Sequence, residues 1–401
     1  MRTAPEPHIA IVAGEGSGDT FGAHLIQAVR EALPDAQFCG VGGSKMQAAG
    51  LELWHRSEDL AVHGHVEVLR RLPRVLRTRR RLKARLMARP PDLFVGVDAL
   101  DLNLGLEEQL RAAGIETVQY VIPQPWAWGG RRLHQLKRAA SRVLALFPFE
   151  LTMLEQAGIP ASFVGHLLAD QLPLSPDREA AREQFRLPAT STVIALLPGS
   201  GGRELERMCD LFALTAKLIH RQVRNAHFLI PLQSRPARRT FEDAVYRNGA
   251  QELPITILFG HAHMAMTAAD GVLLASGTAT LEAALLKRTM VVTCRLSPYN
   301  YRTARRAHSL PYVALPNILA GKFVVPELLQ DDATPENLSQ ALLNQIADKL
   351  VRGRQERAFQ EIHYALRQNS AERIVEALLP MLTRRDTPRR ATAHAADAFG
   401  A

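Results

Sequence analysis

Two features of this sequence combine residue types suited to chemistry: a carboxylate closing an apolar run, and a hydroxyl-rich turn. The carboxylate is Asp98, at the end of a run from Pro91 that reads as a buried strand. In open α/β sheets, ligands bind outside the carboxyl ends of strands, so Asp98 is the candidate general base. Capping of the following helix is its competing role, and Asp101 could share that duty. The turn is Ser276-Gly-Thr-Ala-Thr280, between the apolar Val272–Ala275 and a run of helix formers from Ala279 to Lys287. Strand, small-residue turn and helix start aim free backbone N–H groups at an anion. Ser276, Thr278 and Thr280 add hydroxyl donors, and Gly277 lets a ligand approach the backbone. An ordinary turn with a Ser or Thr cap has the same composition.

A second Gly-rich turn, Ala13-Gly-Glu-Gly-Ser-Gly-Asp19, follows the strand-like Ile9–Val12. Asp19 stands where a dinucleotide fingerprint needs its third small residue, so that reading fails, and the acidic residue would repel a pyrophosphate. Glu15, Ser17 and Asp19, with Gly18 between them, suit hydrogen bonds to sugar hydroxyls. Capping of the next helix by Ser17 and Asp19 carries equal weight. Trp126 and Trp128, beside glycines and arginines at a strand end, suit stacking on a substrate or a structural wedge. His261 and His263 lack a nearby Cys or carboxylate and read as turn residues, so no metal is expected. There is no Asp-x-Asp pair to clamp a metal-bound diphosphate, and no cofactor is expected.

The elements that must position these residues alternate strand and helix throughout. The alternation restarts after Leu172–Asp177, where two prolines mark a linker. The fold class predicted is α/β: two doubly wound Rossmann-like domains facing a cleft, over 1–171 and 179–383, joined by 172–178. The basic tail 384–401 is expected to be disordered.

Of 401 residues, 47% are hydrophobic and 22% charged, which describes a globular protein and excludes a disordered one. No apolar run reaches the length of a membrane span, and the N-terminus lacks an apolar signal core. Three widely spaced cysteines give no disulfide framework, so a cytoplasmic, reducing compartment is expected. The net charge of +9 is uneven, with much of the excess in Arg70–Arg89 and the tail. In the overlapping stretch His65–Lys83, Val68, Leu69, Leu72, Val75 and Leu76 follow helical spacing among arginines, interrupted only by Pro73, and Val66 joins them as a candidate membrane contact. Such a helix lies on an anionic membrane surface or packs its apolar stripe on the sheet. Nucleic acid is not expected, because no aromatic residues interleave with the arginines.

Taken in order, these pieces resemble the lipid-A-disaccharide synthase family, glycosyltransferases of the two-Rossmann-domain (GT-B) type. The resemblance rests on Ala13–Asp19, Glu67-Val-Leu with Leu72-Pro-Arg, Gly96-Val-Asp-Ala-Leu-Asp-Leu-Asn103 and Trp126-Ala-Trp128. It continues through Phe147-Pro-Phe-Glu150, Phe163–Asp170, Leu196-Leu-Pro-Gly-Ser200, Ala275–Glu282 and Leu315-Pro-Asn-Ile-Leu-Ala-Gly321. It implies condensation of UDP-2,3-diacylglucosamine with 2,3-diacylglucosamine 1-phosphate (lipid X), giving a β-1,6-linked disaccharide phosphate and UDP. Asp98 would be the catalytic carboxylate. Gly199, Ser200, Arg203, Ser276, Gly277, Thr278, Ala279, Thr280, Glu282 and Asn317 would hold UDP. The basic helix would dock on the inner membrane, and self-association is left open. Two positions depart from the family pattern. Gly201 and Gly202 follow Ser200 where an arginine is usual, with Arg203 two places on, and Gly129 follows Trp128 where a basic residue is usual. Either Arg203 reaches the diphosphate along a longer loop, or leaving-group stabilisation is weaker. A UDP-sugar epimerase or hydrolase on the same fold, and a non-enzymatic polyanion-binding protein, are the alternatives.

Overall fold

The computed structural model describes residues 6–14, 16–57, 65–122, 130–199, 202–297, 301–302 and 311–383, with the backbone alone at 65–76, 130–131 and 203–204. These residues form two compact units: 6–122, 130–164 and 370–383 make the first, and 165–199, 202–297, 301–302 and 311–369 the second.

The first unit is built on strands β1 (His8–Ala13), β2 (Gln37–Gly42), β3 (Leu51–Arg56), β4 (Leu93–Val97), β5 (Glu116–Tyr120), β6 (Arg142–Ala145) and β7 (Ala161–Phe163). All pair in parallel, in the order β3-β2-β1-β4-β5-β6-β7. Helices α1 (Gly16–Ala32), α2 (Ser44–Ala49), α3 (His65–Ala88), α4 (Leu100–Ala112), α5 (Gly130–Ala139) and α6 (Pro148–Gln156) connect them. Because helices cover the sheet, its central strands are apolar throughout, and Ile9, Ala10 and Ile11 are fully buried. The basic stretch is helical through Pro73. Its C-terminal half packs Leu82 and Leu86 into a core with Phe94, Leu106 and Leu110. Arg85 lies 4.0 Å over the ring of Trp54 and pairs with Glu52.

The second unit contains α7 (Leu167–Gln171), α8 (Arg178–Gln184), β8 (Thr192–Leu197), α9 (Gly202–Gln222), β9 (Ala226–Leu232), α10 (Arg235–Arg247), β10 (Ile255–Phe259), α11 (Ala262–Ala268), β11 (Gly271–Ala275), α12 (Ala279–Leu285) and β12 (Met290–Cys294). After these come α13 (Leu315–Ala320), β13 (Glu327–Leu329), α14 (Pro335–Ala347) and α15 (Lys349–Leu366). Its sheet is also parallel, in the order β10-β9-β8-β11-β12-β13. The apolar stripe of α9, including Met208, Phe212, Ala216 and Ile219, packs on β8, β9 and β11.

Two boundaries differ from those expected. Residues 172–178 lie inside the second unit, where Asp177 caps α8 by accepting the Ala180 N–H at 2.9 Å. Helix α16 (Ser370–Thr383) returns to the first unit and packs on α1, with Ile374, Ala377, Leu378 and Leu382 buried. An amphipathic helix takes whichever apolar face is open, which its neighbours in sequence do not dictate. The tail 384–401 lies outside the described residues. Among the described residues, no helix is long and apolar enough to cross a membrane.

Candidate active site

In each sheet the chain works outward in one direction and then the other, creating a switch point at β1/β4 and another at β8/β11. The predicted chemistry falls at the carboxyl ends of those strand pairs, where ligands bind in such sheets.

At the first switch point the backbone leaves β4 through two consecutive left-handed residues, Asp98 at φ 56° and Ala99 at φ 44°. Non-glycine residues pay about 1–3 kcal/mol each for such conformations, which persist only where the surroundings enforce them. The enforcement is visible. The Asp98 N–H donates to the Tyr120 carbonyl at 2.9 Å, and its own carbonyl accepts from Asn103 Nδ2 at 3.0 Å and Gln119 Nε2 at 3.1 Å. Asn103 also donates to the Val12 carbonyl, tying the turn to β1. Gln119 Nε2 reaches the carbonyl of Val121 as well, a third left-handed residue at φ 62°. Gly14 passes so close that a Cβ there would stand 2.9 Å from the Ala99 Cβ, so that position needs glycine.

The Asp98 side chain is left for other work. Ala99, not Asp98, is the N-cap residue of α4, and it makes no side-chain cap. Asp101 instead pairs with Arg132 at 2.9 Å. The half-buried Asp98 carboxylate accepts a hydrogen bond from the exposed Ser17 hydroxyl at 3.2 Å. Ser17 and Asp98, singled out separately in the sequence, are thus brought together.

Asp19 is not available to a sugar. Its buried carboxylate accepts the N–H groups of Gly43 (2.8 Å), Lys45 (3.0 Å) and Met46 (3.0 Å), holding the start of α2. Spacing along the chain could not reveal this, because the capped helix begins 25 residues later. Gly18 is buried beside Val97 and Ala13 and contributes packing.

At the second switch point β8 ends in Pro198-Gly199, with Gly199 at φ 123°. The β11 strand ends in Ser276-Gly277-Thr278, with Gly277 at φ 144° and open space within 4 Å of the Cβ it lacks. Thr278 begins α12 without capping it. Among the described residues nothing accepts the N–H groups of Gly277, Thr278 or Ala279. Three N–H groups without an acceptor, beside the open space at Gly277, suit an anion.

The remaining predicted residues of this turn are committed to its frame. Thr280 is buried, donates to the Gly277 carbonyl at 2.8 Å and accepts the Leu315 N–H at 3.2 Å. Asn317 is fully buried with every amide position filled. Nδ2 donates to Val325 O and Glu327 Oε1, and Oδ1 accepts from the N–H groups of Val324 and Val325, all at 2.7–2.9 Å. Glu327 also accepts the N–H groups of Val313 and Ala314, making it the anchor of this loop. Glu282 pairs with His263 at 3.1 Å; that histidine lies inside α11 rather than in a turn, and its carboxylate partner is 19 residues away in the chain. A cavity of about 610 Å³ opens after β12 and β13, lined by Arg207, Arg295, Leu296, Ser297, Gln330 and Asp331.

Sequence reasoning missed Glu327, Asn103 and Gln119. Asn103 and Gln119 did leave a signal, as amides set into otherwise apolar helix and strand patterns. Glu15, Ser200, Trp126 and Trp128 lie outside the described residues, as does the Arg203 side chain; its backbone is in the first turn of α9, which starts at Gly202. The side chains of Val66, Val68, Leu69, Leu72, Val75 and Leu76 also lie outside them.

Two parallel α/β units, each with a switch point at its centre, define the GT-B architecture. The calicheamicin glycosyltransferase CalG4 has the same fold, with a TM-score of 0.60 at 15% identity, covering 96% of this chain and 100% of that one. So does UDP-GlcNAc 2-epimerase from Neisseria meningitidis, solved with UDP-GlcNAc, with a TM-score of 0.63 at 13% identity over 93% of this chain and 100% of that one. Residues 9–378 match the family model described as lipid-A-disaccharide synthetase. The lipid-A-disaccharide synthase of Chromobacterium violaceum is 50% identical over 371 residues, 92% of this chain and 96% of that protein. The chain belongs to this family, and it is a glycosyltransferase of lipid A disaccharide synthesis. The family assignment disfavours the epimerase reading, which fold alone would have left open.

Proposed function

We propose that the enzyme joins UDP-2,3-diacylglucosamine and lipid X in a single inverting displacement, with Asp98 as general base. Asp98 takes the proton of the acceptor 6-hydroxyl as that oxygen bonds to the donor's anomeric carbon. The bond from that carbon to the diphosphate oxygen breaks, and UDP leaves with the electron pair. The free N–H groups of Gly277, Thr278 and Ala279, with the hydroxyls of Ser276 and Thr278, stabilise the diphosphate. Gly199, Ser200 and Arg203 are assigned to UDP as well, and Glu15, Trp126 and Trp128 to the acceptor. Thr280, Asn317 and Glu327 act by fixing the loops. The observation that carries this reading is the left-handed turn at Asp98, whose backbone is bound on both sides while its carboxylate, among the described residues, accepts a hydrogen bond only from the Ser17 hydroxyl. UDP release should depend on lipid X, and the product's new linkage should be β by proton NMR coupling. Acceptor-independent release would overturn the transferase step, and an α linkage the single displacement.

The basic helix α3 serves as the attachment to an anionic inner-membrane surface. Its described half buries Leu82 and Leu86 in the core, and the sequence stripe from Val66 to Leu76 is the part assigned to lipid. Leu72→Asp/Leu76→Asp should fold normally and stay in the supernatant when sedimented with anionic vesicles. Co-sedimentation at the wild-type level would refute this role.

A further inference from the structure

Beneath the strained turn at Asp98 lies a buried polar cluster that the displacement itself does not use. Asn103 and Gln119 direct their NH2 groups at main-chain carbonyls, which leaves Asn103 Oδ1 and Gln119 Oε1 buried with no donor among the described residues. Glu107, one helical turn after Asn103 on α4, is fully buried, and both its carboxyl oxygens are without a partner there too. The groups crowd around Gly96: a Cβ there would stand 2.2 Å from Glu107 Oε1, 2.7 Å from Gln119 Oε1 and 3.0 Å from the Asn103 Cβ. Only acceptors meet at this point. An ionised carboxylate would be an isolated buried charge beside another oxygen, the costliest arrangement available. A neutral carboxylic acid supplies the one donor the cluster lacks.

We infer that Glu107 is a positioning residue, holding its proton and donating it to Gln119 Oε1 so that the Gln119 NH2 is fixed toward the carbonyls of Asp98 and Val121. This rests on the reading of Asp98 as the base. Ionisation of Glu107 would draw the Gln119 amide round to present its NH2 to the carboxylate. The Gln119 oxygen would then oppose the Asp98 carbonyl, and the left-handed turn would lose one of its two side-chain restraints.

Burial raises the Glu107 pKa from 4.5 to about 8. No neighbouring charge contributes to the shift. On α4, Asp101 and Glu108 are paired with Arg132 and Arg138 of α5, and Arg111 binds backbone carbonyls. Arg79 of α3 lies over Gly105, Lys137 of α5 donates to the Ala157 carbonyl, and Asp98 stands at the end of β4. Glu116 is exposed at the start of β5, and the Tyr120 ring lies against Phe21.

The test is UDP formation against pH for wild type, Glu107→Gln, Glu107→Leu and Asp98→Asn, with folding followed by thermal melts. Glu107→Leu should lose roughly 10²-fold in kcat, the scale of a misplacement of about 1 Å, with KM within about threefold. Glu107→Gln, which keeps a donor, should stay within about threefold of wild type. Wild type should lose kcat as pH rises through about 8, and Glu107→Gln should lack that limb. Wild-type turnover in folded Glu107→Leu, or the same limb in Glu107→Gln, would overturn the proposal. Should Glu107→Leu fail to fold, the Glu107→Gln profile decides. Full activity in Asp98→Asn would instead remove Asp98 as the base, while the two pH profiles still report on Glu107.

Discussion

Asp98→Asn should lower UDP formation by roughly 10²–10⁴-fold, the range for loss of a positioned general base. The substitution keeps side-chain size and an oxygen for the Ser17 hydroxyl, and it removes the negative charge and with it the capacity to take a proton. Asparagine is also among the residues best tolerated in left-handed conformations, so the turn at φ 56° should survive. Thermal melts of the two proteins should therefore coincide within a few degrees while their turnover separates by orders of magnitude. A loss below about tenfold would mean that another group, or water, takes the acceptor proton.

Asn317→Ala should act in the opposite way, through stability first. The wild-type amide fills two donor and two acceptor positions within a fully buried loop, and Glu327 depends on it for one of its hydrogen bonds. Truncation strands the N–H groups of Val324 and Val325, the Val325 carbonyl and part of the Glu327 carboxylate. At about 1–3 kcal/mol for each unsatisfied buried group, with the losses partly overlapping, roughly 3–5 kcal/mol is expected. That is a large share of the ~5–15 kcal/mol of a typical domain, and chemical denaturation would read it directly. Asn317→Asp should be nearly as damaging, because a carboxylate cannot donate to Val325 and faces Glu327. An Asn317→Ala protein of wild-type stability that has lost UDP affinity would instead make Asn317 a direct ligand contact.

These two residues show what the sequence could and could not disclose. Continuous apolar runs such as Ile9–Val12, Leu93–Val97 and Val272–Ala275 mark buried parallel strands, because both faces of each must be apolar. The position of Asp98 followed, since the end of a strand is also the mouth of a switch point. Its backbone conformation did not follow, because nothing local favours two left-handed non-glycine residues. The restraint comes from Asn103 on the next helix and Gln119 on the next strand. Asp19 misled for a related reason: a carboxylate in a Gly-rich turn looks the same whether it meets a ligand or, as here, three N–H groups of another helix. Asn317 was found through its motif, but a motif cannot separate a residue that touches a ligand from one that braces the loop. Glu107 went unremarked inside a helix whose other inward positions, such as Leu106 and Leu110, set the pattern.

In the proposed division of labour, UDP is held at Gly277–Ala279 and the proton is taken at Asp98. The most direct measurement is the Kd of UDP, by calorimetry, for wild type, Asp98→Asn and Ser276→Ala/Thr278→Val. Asp98→Asn should bind UDP as wild type does despite its lost turnover, and the double variant should bind at least about tenfold more weakly, the loss of one to two charge-assisted hydrogen bonds. UDP affinity that falls with Asp98→Asn and is unchanged in the double variant would contradict the account.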